Sequence, residues 1–149
     1  MYAIADDEPY EFFAVELSSF QLHWTHSMSP YASVVLNIAE DHVDWHGSFE
    51  RYKADKARVY EHTQVACIFN TDHVDTLRMV ENADVIEGAR AIGFSSTGMP
   101  SVSMLGLAED ILVDRAFLKN RYNEAYELAV LQDPVSYTHL RAHETVLDI

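Results

Sequence analysis

The chain has 149 residues, 48% of them hydrophobic, and its 24 acidic against 10 basic side chains give a net charge of −14. The length suits one domain of roughly 100–200 residues, and the apolar fraction is high enough for a buried core, which excludes wholesale disorder. The acidic surplus excludes nucleic-acid binding through phosphate neutralisation and disfavours anionic membranes, so we expect neither nucleic acid nor membrane as a partner.

Residues 17–39 contain no Asp, Glu, Lys or Arg, a length that could span a bilayer. The segment nevertheless includes residues such as Gln21, His23 and Pro30, which hydrocarbon does not tolerate facing lipid. The amino-terminal residues are acidic where a signal peptide is basic. The single cysteine, Cys67, cannot form an internal disulfide. Together these features predict a cytoplasmic protein.

Short apolar runs alternate with helical patterns, which is typical of βα units around a mostly parallel sheet. Predicted strands cover residues 12–16, 33–38, 65–70 and 90–94, and predicted helices cover 19–25, 49–60 and 72–80. Ser48 precedes the second helix and is suited to cap its first turn. Residues 102–117 have the pattern of a β-hairpin that turns at Glu109 and Asp110. We therefore predict an α/β fold in which helices flank a mostly parallel sheet with an added hairpin.

Glu16 ends the first apolar run, FFAVE. The pattern places this carboxylate at the carboxyl end of a buried strand, where open α/β sheets bind their ligands. A buried carboxylate needs a cation or hydrogen-bond donors nearby. Glu16 is therefore either a ligand-binding group or a structural group that accepts hydrogen bonds from the next helix.

The second predicted strand leads into AEDHVDWHG, which has five acidic or histidine side chains within seven residues. Imidazole and carboxylate groups bind divalent cations, and carboxylates also orient ligating imidazoles. One interpretation is therefore a small metal-dependent hydrolase in which Asp41, His42, Asp44 and His46 bind a metal that activates water. The other is a solvated acidic loop.

Lys56 lies on the apolar face of the second predicted helix, whereas Lys53 lies off it. An inward lysine either extends its ammonium group to water or is desolvated. Desolvation lowers the lysine pKa and makes the neutral amine available for chemistry. The pattern leaves both alternatives open.

The segments that contain these residues resemble one family. ELSSFQL (16–22), LNIAEDHVDWHGSFERY (36–52) and KADKARVY (53–60) resemble the central domain of the Mur ligases, which form amide bonds in peptidoglycan synthesis. The first segment is most similar to the members that join D-glutamate to UDP-N-acetylmuramoyl-L-alanine. The resemblance implies a Rossmann-like, P-loop-type domain that uses ATP and Mg²⁺ and reacts through an acyl phosphate.

The resemblance also implies roles for individual residues. Glu16 and His42 would bind Mg²⁺, and Lys56 would be carbamylated by carbon dioxide and help to position the metal. His42 and Lys56 would thus be the catalytic residues, and Ser18 would contact the muramoyl substrate. A carbamate turns an inward ammonium group into an anionic oxygen ligand that suits Mg²⁺.

Two features of the sequence indicate that the chain corresponds to only part of such a ligase. The ATP-binding loop of the family ends in Gly-Lys-Thr or Gly-Lys-Ser, but none of the five glycines here precedes a lysine. We therefore expect residues 1–133 to be a central-domain fragment without the P-loop and C-terminal domain, inactive on its own. Residues 135–145 resemble an in-frame translation of a transposon-end sequencing adapter, so 134–149 are predicted to be a non-native tail.

Overall fold

A computed structural model describes residues 10–131, and the predicted tail at 134–149 lies outside them. The predicted α/β fold is confirmed, with one six-stranded sheet in the order β1-β2-β3-β4-β5-β6. The helices are α1 (Ser19–His23), α2 (Val43–His46), α3 (Phe49–Ala57), which continues as a 3₁₀ turn (Arg58–Tyr60), and α4 (Val74–Glu81). The strands are β1 (Ala32–Val35), β2 (Ala66–Asn70), β3 (Arg90–Phe94), β4 (Met104–Ala108), β5 (Ile111–Asp114) and β6 (Tyr126–Val130).

The sheet is parallel from β1 to β4 and antiparallel from β4 to β6. The predicted hairpin at 102–117 is confirmed as β4 and β5, and Glu109 at their turn has a φ of 61°. The sequence did not predict β6, whose side chains are largely exposed. Among residues 10–131, no helix has both the length and the hydropathy needed to cross a membrane.

The predicted strand at 12–16 is wrong. These residues pair with no strand of the described chain, and Phe12 and Val15 are 72% and 70% exposed. A run of apolar residues satisfies a sequence pattern, but a strand also needs a neighbour that accepts and donates its backbone hydrogen bonds. Glu16 therefore does not end a buried strand and lies instead in an exposed segment that leads into α1.

Helices α3 and α4 pack on β1 and β2 through a core that includes Tyr60 and Cys67. The Tyr60 hydroxyl donates a hydrogen bond to the Ile68 carbonyl (2.7 Å) and accepts one from the Val35 backbone N–H (3.0 Å). Burial raises the pKa of both the Tyr60 phenol and the Cys67 thiol, so both groups stay neutral at pH 7. Tyr60 thus fixes the carboxyl end of the α3 segment to two strands, which sets the position of Lys56 one turn earlier.

Candidate metal and substrate site

One cleft of about 550 Å³ collects the residues that the sequence singled out. Its lining includes Glu16, Ser18, His42 and Lys56. They come from the segment before α1, the cap of α1, the loop that follows β1, and α3. The β1 loop begins at the carboxyl end of a parallel strand, the edge where open α/β sheets bind ligands. The cleft therefore brings together residues that are up to forty positions apart in the sequence.

Ser18 caps α1 in a reciprocal arrangement. Its hydroxyl accepts a hydrogen bond from the Gln21 backbone N–H (3.3 Å), while the Gln21 side-chain carbonyl accepts from the Ser18 N–H (2.9 Å). This capping box, formed by a serine and a glutamine three residues apart, is readable from the sequence but was not predicted. Because Ser18 supplies the cap, Glu16 is not needed for it. Glu16 has no hydrogen bond or ion pair within the described chain.

His42 has a left-handed backbone conformation, with φ 50° and ψ 28°. Non-glycine residues adopt this region at a cost and persist there where surrounding contacts hold them. Its backbone N–H donates to Asp41 Oδ1 (2.8 Å), and its Nε2 lies 3.3 Å from Asp41 Oδ2. Its ring packs against Phe20, with 4.8 Å between ring centroids. Asp41 and Phe20 thus contact the imidazole, and Nδ1 has no protein partner among residues 10–131.

The two lysines of α3 have different surroundings. Lys53 Nζ lies 2.8 Å from Glu50 and 3.2 Å from Asp75, and these carboxylates raise its pKa, Glu50 making the larger contribution. Lys56 is half-buried in the cleft, and its Nζ has no carboxylate or hydrogen-bond partner in residues 10–131. Lys53 is therefore held in ion pairs with two carboxylates, whereas Lys56 lines the cleft without such a partner in the described chain.

Tyr52 and Asp41 also line the cleft, and Tyr52 was not predicted to be a site residue. Tyr52 is only 7% exposed, and burial, with a smaller contribution from the Asp41 carboxylate, raises its pKa. The phenol therefore stays neutral at pH 7 and can donate a hydrogen bond. Its position on the same helix face as Lys56, four residues earlier, is the sequence signal that could have identified it.

The geometry does not support the hydrolase alternative built on DHVDWH. Among residues 10–131 no three His, Cys, Asp or Glu side chains lie close enough together to hold a metal ion. The His46 side chain is fully buried, and both of its ring nitrogens contact protein groups, whereas His42 faces the cleft. The two histidines of the motif therefore have different surroundings, because His42 lines the cleft and His46 lies in the interior.

The residues present fit an open Mg²⁺ site better than a closed protein cage. The Glu16 carboxylate and the His42 imidazole are available in one cleft, and a Lys56 carbamate would add anionic oxygens there. Mg²⁺ commonly takes one or two protein carboxylates and fills its remaining positions with water and substrate phosphates. An incomplete set of protein ligands beside open space suits that mode of binding.

Comparison with known proteins identifies the class to which this fold and cleft belong. The Mur ligase middle domain matches residues 1–100, and the chain belongs to that family. The chain is 52% identical over 136 residues to a protein of Leifsonia xyli subsp. xyli named UDP-N-acetylmuramoylalanine--D-glutamate ligase. Proteins with the same name from Streptomyces avermitilis and Tropheryma whipplei are 52% and 39% identical over 131 and 135 residues.

These alignments cover most of this chain but a small part of each relative. They include 88% of the chain and 26% of the Leifsonia protein, 88% and 28% for Streptomyces, and 87% and 28% for Tropheryma. The chain therefore spans about a quarter of the length of the curated relatives that it matches. The predicted family is thereby confirmed.

Proposed function

We propose that this chain is the metal-binding segment of a cytoplasmic ligase that uses ATP to join D-glutamate to UDP-N-acetylmuramoyl-L-alanine. The observation that carries the proposal is the convergence of Glu16, His42 and Lys56 on one cleft in a Mur ligase middle domain. The names of the relatives support the substrates, and the single buried cysteine suits a reducing compartment.

The reaction has two steps. The terminal carboxylate of the muramoyl substrate attacks the γ-phosphate of ATP and gives an acyl phosphate and ADP. The amine of D-glutamate then attacks the acyl carbon, forms the amide bond and displaces phosphate. Bound Mg²⁺ supplies charge neutralisation among the phosphate oxygens, the principal electrostatic requirement of phosphoryl transfer.

The residues of this chain would hold the metal and shape the cleft. Glu16 would supply a carboxylate oxygen, and His42, whose Nε2 lies 3.3 Å from Asp41 Oδ2, would bind through Nδ1. The Lys56 amine, which has no carboxylate partner in the described chain, attacks carbon dioxide and loses a proton to give a carbamate. Tyr52, one helical turn before Lys56, lines the same cleft and would serve there as a hydrogen-bond donor.

A segment exchange tests the proposal. In the chimera, residues 10–131 replace the matching segment of the Leifsonia ligase, which supplies the ATP-binding loop and the amino-acid-binding domain. We expect phosphate release that requires both UDP-N-acetylmuramoyl-L-alanine and D-glutamate, because the cleft residues are those that the reaction uses. The parent ligase is the positive control.

Two further controls, omission of one substrate and use of the other glutamate isomer, distinguish ligation from uncoupled ATP hydrolysis. L-glutamate in place of D-glutamate controls for uncoupled ATP hydrolysis, and the isolated chain, without a Gly-Lys-Thr loop, gives the background rate. A chimera that shows the circular dichroism spectrum of the parent ligase but releases no phosphate with both substrates contradicts the proposal.

A further inference from the structure

A buried polar chain joins the three helices around the cleft. His46, whose side chain is fully buried, places Nδ1 2.8 Å from Asp55 Oδ2 and Nε2 3.0 Å from the Ser19 hydroxyl. His23 of α1 contacts the same carboxylate, with Nδ1 3.0 Å from both oxygens. Ser19, His46 and Asp55, hereafter the buried chain, therefore link α1, α2 and α3 through side chains alone.

The donors and acceptors in the buried chain follow from its chemistry. An ionised Asp55 carboxylate only accepts, so His46 donates from Nδ1. In this tautomer of the ring, Nε2 accepts and the Ser19 hydroxyl donates to it. Each buried polar atom of the three side chains thus has a partner, and loss of one leaves another unsatisfied in the interior.

Serine, histidine and aspartate in this order also occur in nucleophilic hydrolases. Here Ser19 is only 2% exposed and His46 is 6% exposed, so a substrate carbonyl cannot reach the hydroxyl. The three residues therefore have a structural role, which is to connect the helices that carry them.

Each member of the buried chain lies next to a cleft residue. Ser19 follows Ser18 and itself lines the cleft, Asp55 precedes Lys56, and His46 ends the four-residue helix whose N-cap residue is His42. Helices of four and five residues are too short to persist without tertiary contacts, because one or two hydrogen bonds do not offset the entropy of ordering them. Contacts such as the buried chain must therefore hold α1 and α2 against the longer α3.

We propose that Ser19, His46 and Asp55 are positioning residues that set the relative positions of Glu16, His42 and Lys56 in the cleft. The role assigned to the cleft rests on the proposed function, but the attachment of α1 and α2 to α3 does not. Lys56 should thus depend on His46, a residue that does not line the cleft, for the environment in which its amine reacts.

Amide hydrogen exchange of the 149-residue chain measures the attachment. In His46→Ala we expect the α1 amides of Leu22 and His23 to exchange faster by on the order of tenfold. The β3 amides should be unchanged, because the buried chain does not reach that strand. His73→Ala is the matched control, since His73 is exposed and its side chain makes no capping hydrogen bond. Ser19→Ala, which removes one hydroxyl, gives the same comparison if His46→Ala does not fold.

Carbon-13 NMR in labelled bicarbonate supplies a readout that a change in general stability does not move. At temperatures where each variant is folded, the Lys56 carbamate signal should fall several-fold in His46→Ala and Asp55→Asn and persist in His73→Ala. Unchanged α1 exchange overturns the proposal, and so does faster α1 exchange with an unchanged carbamate signal. If the wild-type chain shows no carbamate, the proposed function of the cleft fails, and the α1 exchange rates alone decide the positioning role.

Discussion

Lys56→Ala in the chimera is expected to lower the rate of phosphate release by about a thousandfold, the scale seen when one preorganised charge-stabilising group is removed. The reason is that Lys56 is the amine in the cleft without a carboxylate partner among the described residues, and its carbamate would supply an anionic ligand there. The initial rate with both substrates at saturation measures the effect. Formate or acetate should restore part of the rate, because a small carboxylate fits the space left by the side chain.

Lys53→Ala is the matched control on the same helix. Lys53 is held by Glu50 and Asp75 in a groove between α3 and α4, away from the cleft. Its loss should leave most of the rate and give no response to acetate. Full activity of Lys56→Ala, or equal losses in the two variants, would exclude the carbamate role.

Ile92→Ala should lower the free energy of unfolding by about 2–5 kcal/mol, the usual range for emptying a tightly packed aliphatic site. Ile92 lies in the middle of β3, is 0% exposed and packs with Ala66 and Ala116. Ala66 and Ala116 are too small to fill the space left by the missing methyl groups, and their neighbours Ile68 and Leu105 are only partly buried. Since domains are stable by only about 5–15 kcal/mol, this one change could unfold much of the population.

Urea denaturation followed by circular dichroism measures this loss. Ile86→Ala provides the comparison, because Ile86 is 46% exposed and should change the free energy of unfolding by about 0.5 kcal/mol or less. Equal midpoints for the two variants would show that β3 is not at the centre of the core.

The sequence predicted the elements whose signals are local. The β3 strand was predicted with its observed bounds, because an apolar run between turn residues is nearly sufficient for a central parallel strand. The second predicted helix was also confirmed, with Ser48 capping it through the Arg51 N–H at 3.2 Å. Its last turn, Arg58–Tyr60, has a 3₁₀ conformation, and from this turn Tyr60 bonds to the sheet.

Two features that depend on partners distant in sequence were not predicted correctly. Residues 12–16 read as a strand, but a strand requires a neighbour, and none of the described strands pairs with them. The buried chain was missed for the same reason. Nothing local distinguishes His46 from His42, and only the packing of α1 on α3 brings His46 between Ser19 and Asp55.

The sequence identified residues of the candidate site, but it did not predict how each of them reaches the cleft. Glu16, His42 and Lys56 were singled out because each breaks an apolar pattern, and the structure brings all three to one cleft. The reason given for Glu16, a buried strand end, was wrong, since the residue lies in an exposed segment. Its place in the cleft follows from the capping box of α1, which fixes the chain two residues later.

Carbon-13 NMR of the 149-residue chain in labelled bicarbonate most directly tests whether the cleft has the chemistry assigned to it. We predict one carbamate resonance from a lysine side chain, present in Lys53→Ala and absent in Lys56→Ala. The resonance should shift or broaden on addition of Mg²⁺ or Mn²⁺, because the carbamate is a metal ligand. A wild-type chain without this resonance, or a resonance that survives Lys56→Ala, would contradict the account.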